Sequence, residues 1–300
     1  MTLKEFIAAK HKILTDAPDK LFTAIDKVQK QVFDEVLALI DSLERKDGLI
    51  VLSKSNLDKA AEINSKLESV FNTTDFTEAV TDFASEFDQN KKINQKYFFN
   101  AFPSLDPTGL QESVYKATKT QAIEALAGST IETGFLQGIK DQITDAVLSG
   151  SSWKDTVTSL REYALGSDEV DGKLLSHSKQ IATDAISISD RAYTNAIAED
   201  LDAEWYYYAG GEIATSREFC IERHDKYFHF KEVESWAKLE WDGKNPTTTA
   251  QSIFLFAGGF SCRHAIIPVS VTSVPKEVIR RNIASGNYSP TDKERELLGI

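Results

Sequence analysis

Between Leu21 and Leu43 the apolar residues Phe22, Ile25, Val28, Val32, Val36, Leu39 and Leu43 recur at three-and-four spacing. That period draws one stripe down a helix, and Asp26, Lys27, Lys30, Asp34 and Glu35 fall on the other side, so a long amphipathic helix with a solvated face is predicted. Lys46-Asp47-Gly48 stops it, and Leu49 to Leu52 fits either a short buried strand or the packed end of a turn. Asn56 and Asp75 read as helix N-caps, since a short polar side chain accepts from the free amides of a first turn. The helices after them carry Ile63, Leu67 and Val70, then Phe76, Val80, Phe83 and Phe87. The aromatic cluster Tyr97, Phe98, Phe99 and Phe102 fits a core or a subunit contact better than a ligand box.

Ser104-Leu105-Asp106-Pro107-Thr108-Gly109 breaks any helix through it and reads as a linker. Helical patterns resume over Leu110 to Leu126, Ile131 to Leu148, Trp153 to Leu165 and Lys173 to Leu201; His177 on the last of these reads as an ordinary helix residue. At Glu204 the texture changes. Trp205-Tyr206-Tyr207-Tyr208-Ala209 is strand-like, Gly210-Gly211 supplies a turn, and Pro275 and Pro290-Thr291 open two short closing helices. The expected fold is mainly α: a helical N-terminal region (1–105), a helical central region (106–203) and a small α+β motif domain (204–300).

Charge narrows the functional classes. A net charge of −12 is unsuited to coating nucleic acid, which is bound by Lys and Arg displacing counterions, so no broad DNA-binding face is expected; Lys276, Arg280 and Arg281 read as a solvated helix face. Met1 to Lys12 hold no apolar run of signal-peptide length and no 18-residue apolar stretch occurs anywhere, which predicts a cytoplasmic chain with no membrane partner. Two cysteines in 300 residues make no disulfide framework.

The unusual chemistry is concentrated between Thr215 and His264. Cys220 and His224 are four apart and would share a face on a helical turn; Cys262 and His264 are two apart and would point the same way on a strand. Two such pairs can converge into a Cys2His2 tetrahedron suited to Zn2+, with His229 as a spare ligand. The plainer reading keeps two small buried thiols and two hydrogen-bonding histidines. A catalytic zinc would need an open position and a base, for which Glu218, Glu222 and Asp225 are candidates, and a Cys–His nucleophile pair is equally compatible. Gly258-Gly259 reads as a tight turn before a strand.

Thr215-Ser216-Arg217-Glu218-Phe219-Cys220, Lys226-Tyr227-Phe228, the segment Trp236 to Gly243 with Trp241, and Gly258-Gly259-Phe260-Ser261-Cys262-Arg263-His264 running on to Val269 resemble the C-terminal motif of tailed-phage minor head proteins, the Mu F-like head-morphogenesis family. Upstream, Ser149-Gly150-Ser151-Ser152, Ile181-Ala182-Thr183-Asp184 and Trp205 to Gly211 follow the same order, so the resemblance covers about 131–269. Many relatives begin the motif with Asp, carry a second Cys soon after the first, and close with Cys-Arg-Cys; here Thr215, His224 and His264 stand at those places. The His-for-Cys exchanges keep metal-binding capacity and exclude a second disulfide.

The resemblance implies a low-copy virion protein at the portal vertex, acting in head assembly, DNA packaging or ejection, with the portal protein and inner capsid as partners and the host cytoplasm as its place before assembly. It implies structural roles for Ser216, Arg217, Trp236, Trp241, Gly258, Gly259 and Arg263, and no enzymatic activity for the motif. Some relatives fuse a toxin-like domain beyond it; with the sequence ending at Ile300, none is expected here. The alternatives are a metal-dependent hydrolase or nuclease-like enzyme using Cys220, His224, Cys262 and His264, and a helical adaptor unrelated to virions.

Overall fold

The computed structural model describes residues 1–103, 105, 109–127 and 129–300, with the backbone alone for 129–133. In chain order the elements are α1 (Leu3–Ile40), β1 (Arg45–Lys46), β2 (Leu49–Ile50), α2 (Lys54–Asn72), α3 (Phe76–Ala101), α4 (Gly109–Ala127), α5 (Ser129–Ser149), α6 (Trp153–Leu165), α7 (Lys173–Asp200), β3 (Trp205–Ala209), α8 (Glu218–Arg223), β4 (Lys226–His229), α9 (Phe230–Ser235), α10 (Ile253–Phe256), β5 (Ala265–Pro268), α11 (Lys276–Ala284) and α12 (Asp292–Leu298). The protein is mainly α, with a small α+β region at its C-terminal end.

It divides into two compact units, and neither follows the expected boundaries after residues 105 and 203. One gathers Met1–Asp16, Glu86–Thr120 and Thr183–Ile300; the other gathers Ala17–Ser85 and Gln121–Ala182. The cause is that α1, α3, α4 and α7 each contribute residues to both, so a helix end is not a domain end. Of the expected linker, only Leu105 and Gly109 lie among the described residues.

In the unit of Ala17–Ser85 and Gln121–Ala182, α5 packs against both α2 and α6. The α1 stripe is rotated slightly from its predicted register: Leu21, Ile25, Val28, Val32, Val36, Ile40 and Leu43 are buried, whereas Phe22 and Leu39 are half-buried. Lys46-Asp47-Gly48 is the turn of a small hairpin, β1 against β2, with Asp47 and Gly48 both at positive φ as a two-residue hairpin turn requires. Asn56 does not cap α2. Ser53 does, its side chain accepting from the Asn56 amide, while Asn56 is fully buried and bonds the Glu44 amide and the Glu44 and Val51 carbonyls. Gln29 plays a similar part for α7, its Oε1 accepting from the otherwise unpaired Leu175 amide at 2.8 Å.

In the other unit a three-stranded antiparallel sheet, order β4-β3-β5, pairs Tyr206 with Phe228 and Pro268, and Tyr208 with Lys226 and Ile266. Both faces of this sheet are covered, so the alternation along β3 sorts its aromatics into two cores. Tyr206 and Tyr208 face a cluster with Phe219, Cys220, Val233, Trp236, Ile253 and Cys262. Trp205 and Tyr207 face Val269, Val274, Ile279, Tyr288 and Leu298 of the closing segment. The start of α1 joins this unit through Phe6, stacked on Tyr97 at 4.1 Å, and through Lys10. Lys10 and Asp190 form a fully buried ion pair at 3.0 Å, whose carboxylate also accepts from Asn90 and Asn94.

Candidate metal centre

Cys220, Cys262 and His264 come together as a buried trio whose ligand atoms all lie within 4.8 Å of one another. Cys220 is delivered by α8, one turn and a half long, directly beneath β3. Cys262 and His264 are delivered by the tight loop between α10 and β5; they precede the strand, yet their side chains turn the same way, Cys262 Sγ lying 3.7 Å from His264 Nδ1. The two sulfurs are 4.0 Å apart and both thiols are free.

The loop is held in a shape that few residues adopt. Ala257 and Ser261 both occupy positive φ (46° and 55°), an unfavourable region for residues bearing a Cβ. Between them Gly258 lets the backbone lie against the cysteines: a Cβ there would sit 2.3 Å from Cys220 Sγ and 2.9 Å from Cys262 Sγ. Gly259, at φ 96°, passes so close to Gly243 that a Cβ would stand 2.0 Å from its carbonyl oxygen. The motif residues then tie the loop down. Arg217 donates to the Phe260 carbonyl at 2.8 Å, the Trp241 indole donates to the Gly258 carbonyl at 2.9 Å, and Trp241 stacks on Phe219 at 4.0 Å. Trp236 is buried edge-on to Tyr208 and Phe219, and the Ser216 hydroxyl accepts from the Ile213 amide. Arg263 lies half-buried beside the trio.

His224 lies beside the trio without joining it. Its amide still donates to the Cys220 carbonyl at 2.8 Å and its ring sits edge-on to that of His264 at 6.0 Å, but its nitrogens are engaged elsewhere. Its Nδ1 lies 3.3 Å from Glu212 and its Nε2 3.4 Å from Asp225. The four-residue spacing does bring His224 to the site, and the two carboxylates hold its imidazole out of the trio. His229 is also elsewhere: on β4 it faces Trp205 and caps α9, and burial depresses its pKa to about 4.

Around the trio, the Tyr208 hydroxyl donates to Cys220 Sγ at 3.4 Å and the Gly258 amide to Cys262 Sγ at 3.3 Å. Cys262 is held well below the ordinary thiol range, first because the Cys220 thiol donates to it and then through His264 and Arg191. Cys220 is raised in turn, by that same donation and by burial. From α7, Arg191 donates to the Cys262 and His264 carbonyls at 2.8 and 3.0 Å, and Asp184 accepts from the Ser261 amide at 2.5 Å; burial raises the Asp184 pKa. Sequence reasoning passed over Arg191, Tyr208 and Asp184 as site residues. A signal existed for Arg191: it is one turn beyond Ser187 on the core-facing side of α7, where a charged residue needs a buried partner.

One side of the trio opens on a cavity of about 200 Å³ that His11, Thr215, Ser216, Arg217 and Arg263 also line. None of the described residues lining it is a carboxylate. Glu218 and Glu222 instead line a separate open cleft of about 660 Å³ with Arg223 and Trp241, and Asp225 accepts from the Tyr207 hydroxyl. Set against known proteins, the chain matches no family model, no curated protein and no solved structure.

Proposed function

We propose that this protein is a minor structural component of a tailed-phage head, associated with the portal vertex and inner capsid and acting in head assembly, DNA packaging or ejection, without catalytic activity of its own. One observation carries the reading. The residues that bear the resemblance, scattered from Ser216 to His264, meet in one compact arrangement in which Arg217, Trp241, Gly243, Gly258 and Gly259 brace a single strained loop. That shared bracing supports the reading, because the positions matched along the sequence act on one loop.

The enzyme reading is favoured by the cavity beside the trio, which gives access to the thiols and imidazole. It is weakened by the absence of a carboxylate among the described lining residues, because the acidic candidates for a general base face elsewhere. Co-expression of the full chain with the portal protein of the same phage tests the proposal. A complex that survives size-exclusion chromatography, and the chain's presence in purified heads at low copy, are expected. Failure to associate, together with metal-dependent hydrolysis of phosphodiester or ester substrates lost in Cys262→Ser, would replace it with the enzyme.

A further inference from the structure

We infer that Cys220, Cys262 and His264 form a three-ligand Zn2+ site whose fourth position is taken by a water molecule from the adjoining cavity, and that His224 is not a ligand. The inference concerns the isolated chain and is independent of the head-assembly reading.

Geometry is the first argument. Tetrahedral Zn2+ with bonds of ~2.3 Å to sulfur and ~2.0 Å to nitrogen sets two sulfurs ~3.8 Å apart and sulfur and nitrogen ~3.6 Å apart. Two observed separations, 4.0 Å for Cys220 Sγ to Cys262 Sγ and 3.7 Å for Cys262 Sγ to His264 Nδ1, are within a few tenths of an ångström of those edges. All three ligand atoms lie within 4.8 Å of one another, so residues 42 apart in sequence are gathered close enough for one small ion, with the remaining edge closing by up to about 1 Å when it binds.

Unmet bonding capacity is the second. The trio is buried, yet among the described residues the thiols meet each other, one tyrosine hydroxyl, one backbone amide and the imidazole Nδ1, all at sulfur distances. Polar groups taken out of water need strong partners, and thiolates with imidazole make a soft set that prefers Zn2+ to Mg2+ or Ca2+. Gly258 supplies the third argument. Its missing side chain keeps the space beside both sulfurs clear, and its amide donates to Cys262 Sγ, a contact that supports a thiolate ligand.

The fourth position follows from what surrounds the trio. His224 is turned toward Glu212 and Asp225, whereas the cavity side is open and lined by His11, Arg217 and Arg263. His11 Nδ1 is itself buried without a partner, so a hydrogen-bonding group remains for a bound water.

Metal content of the full chain, purified under reducing conditions and measured by elemental mass spectrometry, is the test. About one Zn2+ per chain is expected, retained in His224→Ala and reduced at least about tenfold in Cys262→Ser and in His264→Ala. Should those variants fail to fold, Co2+ replacement in the wild-type chain gives an independent reading. A tetrahedral spectrum with thiolate-to-metal charge transfer is expected, and added azide should shift its d–d bands by displacing the water. The inference is overturned by a metal-free chain that cannot take up Co2+, by isolation of a Cys220–Cys262 disulfide from reduced protein, by loss of zinc in His224→Ala equal to that in Cys262→Ser, or by a Co2+ spectrum indifferent to azide.

Discussion

At Gly259 the backbone needs a positive φ and the neighbouring carbonyl of Gly243 leaves no room for a Cβ. Gly259→Ala is therefore expected to cost ~2 kcal/mol or more from strain and displacement together, read as a lowered urea midpoint at unchanged slope. An effect below half that size would show the loop yields easily. Asn56 is a different kind of residue: its side chain bonds three backbone groups beside the hairpin. Asn56→Leu strands the Glu44 amide and the Val51 carbonyl, while the Glu44 carbonyl keeps the Val51 amide, and a loss of ~2 kcal/mol is expected from unpaired buried groups. His229 gives a pH signature. Its folded pKa, about 4, lies below the unfolded 6.5, so the unfolded chain binds the extra proton. Its contribution is fully present above pH 6.5 and is lost as pH falls from there to about 4. His229→Asn, which keeps a capping side chain, should flatten that part of the stability profile; identical wild-type and variant profiles between those pH values would refute the assignment. The candidate ligands were legible at this scale because Cys and His are rare in the chain, whereas Tyr208 and Arg191 were not, since a tyrosine in an aromatic strand and an arginine on a charged helix give no warning of what they touch.

Among elements, helix boundaries decided which expectations survived. The periodic stretches became helices because three-and-four spacing has only one regular structure that buries it. Where side-chain partners mattered, pattern was too coarse. His224 keeps the helical bond to the Cys220 carbonyl, yet Glu212 before the helix and Asp225 after it hold its imidazole. The first turns of α1 lie outside the helix predicted from Leu21 to Leu43, and there Lys10 is buried against Asp190 of α7, with desolvation lowering its pKa against the pull of the carboxylate. Lys10→Met should destabilise the fold by ~3 kcal/mol, because a carboxylate is left buried without its cation. Combining it with Asp190→Asn should recover part of that loss, since the amide needs no counter-ion. Chemical denaturation of the two variants checks both, and equal stability of Lys10→Met and wild type would mean the pair is not formed in solution.

For the whole molecule, chain order and compact units part company. The sheet begins at Trp205, where the texture of the sequence changes, but the unit that contains it reaches back to Thr183 and takes in parts of α1, α3 and α4. Asp184 and Arg191 on α7 secure the loop that presents Cys262 and His264. A fragment of 204–300 lacks both, so it is expected to show poor amide dispersion by NMR and no cooperative thermal transition. A well-dispersed spectrum from that fragment would establish the three-part division expected from sequence.

What the sequence by itself determined is the class of fold and the neighbourhood of the chemistry. Periodicity specifies helices because burial of one face is a local demand, the aromatic run at Trp205 specifies a strand, and scarce Cys and His mark where to look. The tertiary structure alone decided which of them meet. Convergence depends on the carboxylates that engage His224, on glycines that admit close backbone approach, and on buried partners reaching across from α7. Those are distances between segments far apart in the chain, and no local pattern of residues encodes a distance of that kind.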